Sequence, residues 1–199
     1  MKRIGIILTS DNRSKGYLQK IISNNIKIDS IIFMNNNKHN KECSNEEKEI
    51  SIQYGFNISE SVEDTLAKNK INYHEFKFVD INHPTLIEYL KKSNIDFCIF
   101  TGGGILKEDV LKSGPKFIHL HPGIVPEYRG STCFYYSMLN ENKCGVTAFI
   151  MNEGLDTGPI IHQRMFSKPN HIFADEVYDP HIRSETLLDV LKNNMINDK

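Results

Sequence analysis

The 199-residue sequence is short of several things, and each shortage removes a class of function. It has no surplus of charge. Its 24 Lys and Arg against 25 Asp and Glu leave a net charge of −1, with no electrostatic footprint for a nucleic-acid partner. No apolar run approaches the roughly 20 residues that a membrane span needs. The opening MKRIGIILTSDNR is basic and then apolar, as a signal peptide is. Its apolar run is short, however, and passes into a polar turn without cleavage-type small residues, so it reads as a first strand. Only four cysteines occur: Cys43, Cys98, Cys133 and Cys144. None forms a CxxC pair and two lie in apolar or aromatic contexts, so reduced thiols in a cytoplasmic protein are expected. There is no HExxH. Apart from His119 and His121, the histidines (His39, His74, His83, His162, His171 and His181) form no clustered pair, and no metal is expected. Gly102-Gly103-Gly104 is not GxGxxG and lacks the lysine of a P-loop. No repeat or low-complexity linker interrupts the chain, and its length suits one domain over residues 1–199.

What is present is an alternation of strand and helix signals. Residues 3–9 and 29–34 are short apolar runs bounded by turn residues, with Leu18, Ile21 and Ile22 at helical spacing between them. This β-α-β opening predicts a parallel sheet. Residues 35–48 are polar and read as a loop. A helix is predicted over about 61–70 and a strand over 73–79. His83-Pro84 starts a helix whose apolar face is Leu86, Ile87 and Leu90. Residues 95–100 are a strand broken by TGGG, followed by a short helix near 106–112. Residues 117–120 are a strand, Ser131 N-caps a helix to about Leu139, and 145–151 are a further strand. Leu187, Leu191 and Met195 mark a C-terminal helix over about 181–196. The predicted class is α/β: a Rossmann-like, mostly parallel sheet with helices on both faces. Ligands of such sheets gather beyond the carboxyl ends of the strands.

The chemistry concentrates in HLHPGIVPEYRG, residues 119–130. His119 and His121 close a strand, and alternation points both side chains the same way. Two adjacent imidazoles can hold a metal, move protons or cap a core. Pro122, Gly123 and Pro126 stiffen the loop that follows. Further on, NEGLDTGP sets Asp156 in a glycine turn, where an aspartate is usually structural.

Taken together, HLHPGIVPEYRG and GVTAFIMNEGLDTGPIIHQ resemble the folate-dependent formyltransferases, the family of glycinamide ribonucleotide, methionyl-tRNA and sugar N-formyltransferases. The resemblance covers residues 95–165. Gly145-Val146-Thr147 opens the second motif, and Asp156, Gly158, Ile160 and Gln163 close it. It implies transfer of a formyl group from 10-formyltetrahydrofolate to a small-molecule amine. His121 matches the family histidine that stabilises the tetrahedral intermediate and handles its proton. Asp156 matches the aspartate that orients and polarises that histidine. Position 119 matches an asparagine that donates to the formyl oxygen. The implied folate pocket runs along Gly104, Ile105 and Leu106 and the backbone of Asn152, Glu153, Leu155 and Asp156.

The chain departs from the pattern in places. His119 replaces the asparagine; it retains an N–H donor, and a protonated His119 would bring a sharper pH dependence. Phe149 stands where relatives often carry histidine, and reads as peripheral packing. The first loop, Thr9 to Arg13, lacks a glycine-serine phosphate loop, which argues against glycinamide ribonucleotide as acceptor. The length and charge balance argue against tRNA. The expected acceptor is then an amino sugar or sugar nucleotide, with Asn12, Tyr178 and Arg183 as candidate contacts, and a homodimer is compatible with this reading. Two alternatives stand beside it: a non-catalytic folate- or sugar-binding relative, and a formyltetrahydrofolate hydrolase.

Overall fold

The computed structural model describes residues 2–35, 42–102, 104–130 and 133–196. In chain order its elements are β1 (Ile4–Leu8), α1 (Asn12–Ser23), β2 (Ser30–Met34), α2 (Asn45–Gln53), α3 (Val62–Lys68), β3 (His74–Phe76), α4 (Pro84–Lys92), β4 (Phe97–Phe100), α5 (Glu108–Leu111), β5 (Lys116–His121), α6 (Cys133–Glu141), β6 (Lys143–Ile150), β7 (Ile160–Ser167) and α7 (Asp179–Lys192), the last entered through a π-helical turn at Ala174–Tyr178. The sheet order is β3-β2-β1-β4-β5-β6-β7. The first five strands are parallel, and β6 and β7 are antiparallel to their neighbours. The expected α/β class and mostly parallel sheet are therefore observed.

The continuous apolar runs of β1, β2 and β4 follow from burial on both faces. On one face Ile6, Leu8, Phe33, Ile99, Ile118 and Leu120 pack against α1, α3, α6 and α7. On the other, Ile7, Ile32, Cys98, Phe100 and Phe117 meet Leu86, Ile87 and Leu90 of α4 and Val110 of α5. Helix starts are satisfied locally: Asp11 accepts from Ser14 N at 2.7 Å, and His83 caps the Pro84 turn.

Several boundaries differ from expectation. β3 is three residues long and leaves the sheet at Phe76. Residues 45–48, read as loop, belong to α2, which a reciprocal capping box between Ser44 and Glu47 begins. β7 had no counterpart in the sequence reading. α7 begins at Asp179 and ends at Lys192. The Ser131 cap and Gly103 lie outside the described residues. None of the four cysteines is in a disulfide, and among the described residues no helix is long and apolar enough to cross a membrane.

The strand order reverses between β1 and β4, which opens a crevice at their carboxyl ends. Ser14 ties it together. Its hydroxyl accepts from Thr9 N at 2.9 Å and donates to Thr101 Oγ1 at 2.7 Å, and Thr101 donates in turn to Ile7 O at 2.8 Å.

Candidate active site

β5 brings His119 and His121 to the rim of this crevice on one sheet face, with ring centroids 6.4 Å apart. His121 is 3% exposed. Its Nε2 lies 2.9 Å from the Tyr128 carbonyl, which can only accept, so Nε2 carries the proton and donates. Nδ1 is then the nitrogen that gains and loses a proton, and it faces Asp156 Oδ2 at 3.4 Å. That distance is a charge contact rather than a good hydrogen bond. Burial pulls the His121 pKa below its usual range, opposed by the Asp156 carboxylate and the Tyr128 carbonyl.

Two loops hold this pair. Asp156 sits in the left-handed region at φ +51°, and its Oδ2 also accepts from Gly130 N at 2.8 Å. Gly158 makes the turn possible, since a Cβ there would lie 1.6 Å from the Ile150 carbonyl oxygen. Asn152 Oδ1 shapes the rest of the turn by accepting from Gly154 N at 3.0 Å and Thr157 Oγ1 at 2.8 Å. The loop after His121 is braced from β6 and β7. Thr147 Oγ1 donates to Gly123 O at 2.7 Å, and Gln163 Nε2 donates to Val125 O at 2.8 Å, ahead of the cis Val125–Pro126 bond. Thr147 and Gln163 thus brace the loop from behind.

His119 stands between two rings, Phe100 at 5.9 Å and Phe149 at 5.8 Å. Phe149 is its antiparallel partner in register and meets it edge-on, so the packing expected at 149 is not peripheral: Phe149 is buried directly against His119. His119 Nδ1 is buried and has no hydrogen-bond partner among the described residues. A buried polar atom without a partner is costly; a ligand oxygen satisfies it in the Nδ1–H tautomer and a ligand donor in the Nε2–H tautomer. Burial first, then the charges of Arg183, His121 and Arg13, hold the His119 pKa well below the usual histidine range, against a hydrogen bond to the Phe100 backbone that favours the protonated ring. His119 is therefore a neutral side chain near neutral pH, and the sharper pH dependence expected of a protonated His119 does not follow.

Residues 3–179 match the family described as formyl transferase. The chain belongs to that family. It is 31% identical over 153 residues to the methionyl-tRNA formyltransferase of Sulfurimonas denitrificans, covering 73% of this chain and 44% of that protein. It spans less than half the length of the curated relatives it matches. Among solved structures it resembles glycinamide ribonucleotide transformylase 1 from Geobacillus kaustophilus, with a TM-score of 0.67 at 17% identity over 98% of this chain and 100% of that one. It also resembles an N-formyltransferase from Helicobacter canadensis, solved with folinic acid and dTDP-3-aminofucose, with a TM-score of 0.60 at 20% identity over 99% of this chain and 66% of that one. The relatives thus include the tRNA and ribonucleotide enzymes that the sequence reading set aside as acceptor classes.

Within this formyl transferase fold, the expected folate wall is partly accessible. Gly104 takes the left-handed φ of +108°, which glycine adopts without steric cost. Ile105 is 86% exposed and Leu155 is 70% exposed. Glu153 and Asn152 are exposed beside Leu155. Leu106 differs: its side chain is buried in the core cluster under α4. Asn82 clamps this loop, donating to Ile105 O at 2.9 Å and accepting from Lys107 N at 2.8 Å.

The candidate acceptor contacts are corrected more strongly. Arg183 is buried, with Nε on Asp179 at 2.7 Å and a second nitrogen on the Leu120 carbonyl. It lies behind β5 and acts on both histidines through its charge. The Tyr178 hydroxyl is likewise engaged, donating to Ser167 O inside the fold. Asn12 Nδ2 donates to Glu176 O at 3.1 Å, tying the first turn of α1 to the π-helical turn. The sequence reading also missed Cys133, whose Sγ lies 3.2 Å from His121 Nε2. Twelve residues separate them, and no sequence periodicity connects the two.

Proposed function

We propose that this chain transfers a formyl group from 10-formyltetrahydrofolate to a primary amine, and that the acceptor is an amino sugar carried on a nucleotide. The observation that carries the reaction is His121, buried, with Nδ1 beside the Asp156 carboxylate. The amine attacks the formyl carbon and the formyl oxygen gains negative charge. In its Nδ1–H tautomer the neutral His119 would donate to that oxygen, and one such donor contributes roughly 3–4 kcal/mol to the transition state. His121 Nδ1 takes the proton released by the amine and returns it to the departing folate nitrogen, a relay that typically contributes about 10²–10⁴-fold. Asp156 stabilises the imidazolium between the two transfers. Exposed Ile105 and Leu155 suit the faces of a pterin ring, whose edges are polar. The amino-sugar acceptor is supported by the likeness to a fold solved with dTDP-3-aminofucose.

The test is release of tetrahydrofolate from 10-formyltetrahydrofolate in the presence of aminodeoxysugar nucleotides, glycinamide ribonucleotide or methionyl-tRNA. Turnover with an amino-sugar nucleotide supports the whole reading. Turnover with another amine keeps the reaction and replaces the acceptor, and turnover without any amine favours the hydrolase. Asp156→Asn should keep the fold, because the amide oxygen can still accept from Gly130 N, while kcat/KM falls by about 10²–10⁴-fold. Asp156 raises the proton affinity of His121, so any residual activity should show its acid limb at lower pH than the parent. Full activity in this variant would refute the site.

A further inference from the structure

The Nε2 side of His121 is closed to reactants. The Tyr128 carbonyl lies 2.9 Å away and Cys133 Sγ 3.2 Å away. A methyl group added at Gly123 would meet both Nε2 and Sγ at 2.9 Å, and the Tyr128 oxygen at 2.6 Å. No atom of a ligand fits there. Since the Tyr128 carbonyl fixes the proton on Nε2, the thiol cannot donate to that nitrogen. Its remaining acceptor is the Pro122 carbonyl, 3.2 Å from Sγ. The S–H therefore points at Pro122 and a sulfur lone pair faces Nε2–H. Cys133 is the first residue of α6, so the helix fixes the position of the sulfur. It is 3% exposed. Burial pushes the thiol up to about 11, which keeps it protonated. It also lies on the opposite side of the ring from Asp156, away from where a formyl carbon would sit. Cys133 is thus neither an exposed reactive thiol nor a nucleophile.

We propose that Cys133 is a positioning residue for His121. Its thiol, strung between the Pro122 carbonyl and Nε2–H, adds a second acceptor to the Tyr128 carbonyl at that N–H, which steadies the ring and leaves Nδ1 as the one nitrogen free to exchange a proton beside Asp156. The catalytic consequence rests on the formyl-transfer reading; the effect of Cys133 on the proton affinity of His121 does not. A sulfur is a weak acceptor, and an acceptor at Nε2–H favours the charged ring over the neutral one. Loss of the thiol should therefore lower the proton affinity of His121.

The experiment uses the full chain with ¹⁵N-labelled histidine, following the ring nitrogen shifts of His121 against pH in the parent, Cys133→Ala and Cys133→Ser. The parent should show the Nε2–H tautomer. Cys133→Ala should move the His121 midpoint down by about half a pH unit, with the acid limb of kcat/KM following it. Cys133→Ser, which restores a donor for Pro122 and an oxygen near Nε2, should bring the midpoint back toward the parent. An Nδ1–H tautomer in the parent overturns the proposal even where the alanine variant fails to fold, as does an alanine variant that titrates like the parent. A shifted midpoint in a protein that formylates no amine would sustain the role of Cys133 and refute the reaction.

Discussion

His119 offers the sharpest quantitative test of the site. In an imidazole Nδ1 is bonded to Cγ, as the amide nitrogen is in asparagine. The buried, unpartnered Nδ1 of His119 therefore stands the same number of bonds from the backbone as the amide that relatives carry. His119 stays neutral, because burial and the charges of Arg183, His121 and Arg13 all oppose its protonation. In its Nδ1–H tautomer the neutral ring is a donor at the same reach, close to what asparagine offers. His119→Asn should accordingly retain kcat/KM within about tenfold, and His119→Ala should lose about 10²–10³-fold, the usual cost of one oxyanion donor. The acid limb of the pH profile belongs to His121, so neither substitution should move it by more than a few tenths of a unit. The assay is tetrahydrofolate release over about pH 5 to 8, around the ordinary histidine range. Full activity of His119→Ala, an asparagine variant whose acid limb moves by about a unit, or an Nε2–H tautomer at His119 would each refute the donor role.

Two further outcomes follow from other parts of the fold. Gly158→Ala forces a Cβ to within 1.6 Å of the Ile150 carbonyl oxygen, which must break the Ile150 N to Pro159 O closure that seats the Asp156 turn. Activity should be lost, with a clear drop in Tm, and a variant indistinguishable from the parent by calorimetry and turnover would contradict the described turn. Stability should also fall as pH is lowered below about 6.5, the ordinary histidine value. Folding depresses the pKa of His119, His121 and His181, the last to about 4. Above the unfolded value both states are neutral and the full stability is present. Below it the unfolded chain takes up protons that the folded chain refuses, with a slope of up to about 1.4 kcal/mol per pH unit for each histidine. Urea midpoints at pH 7.5 and pH 5 would check this, and equal midpoints would count against neutral burial of these rings.

The parallel half of the sheet was legible in the sequence because its strands are buried on both faces and read as unbroken apolar runs. β7 was not. It is an edge strand, and IIHQRMFS carries polar His162, Gln163 and Arg164 mid-run, so its pattern is diluted by its exposed face. α2 escaped for a related reason: it is polar over most of its surface, although Ser44-x-x-Glu47 is a recognisable start signal. At the site, the approach of His121 to Asp156 was legible only through motif resemblance, since 35 residues of sequence separate them. Arg183 was misread because a lone arginine after a turn looks like an anion contact. Only the fold shows its charge committed to Asp179 and to the Leu120 carbonyl of β5.

The Gly130–Asp156 contact has a mechanical consequence. The oxygen that faces His121 is the same oxygen that clasps the loop after β5 to the loop after β6. The same carboxylate oxygen thus serves both the clasp and the imidazole, so Asp156→Ala is expected to loosen the two loops and to lower the proton affinity of His121 together.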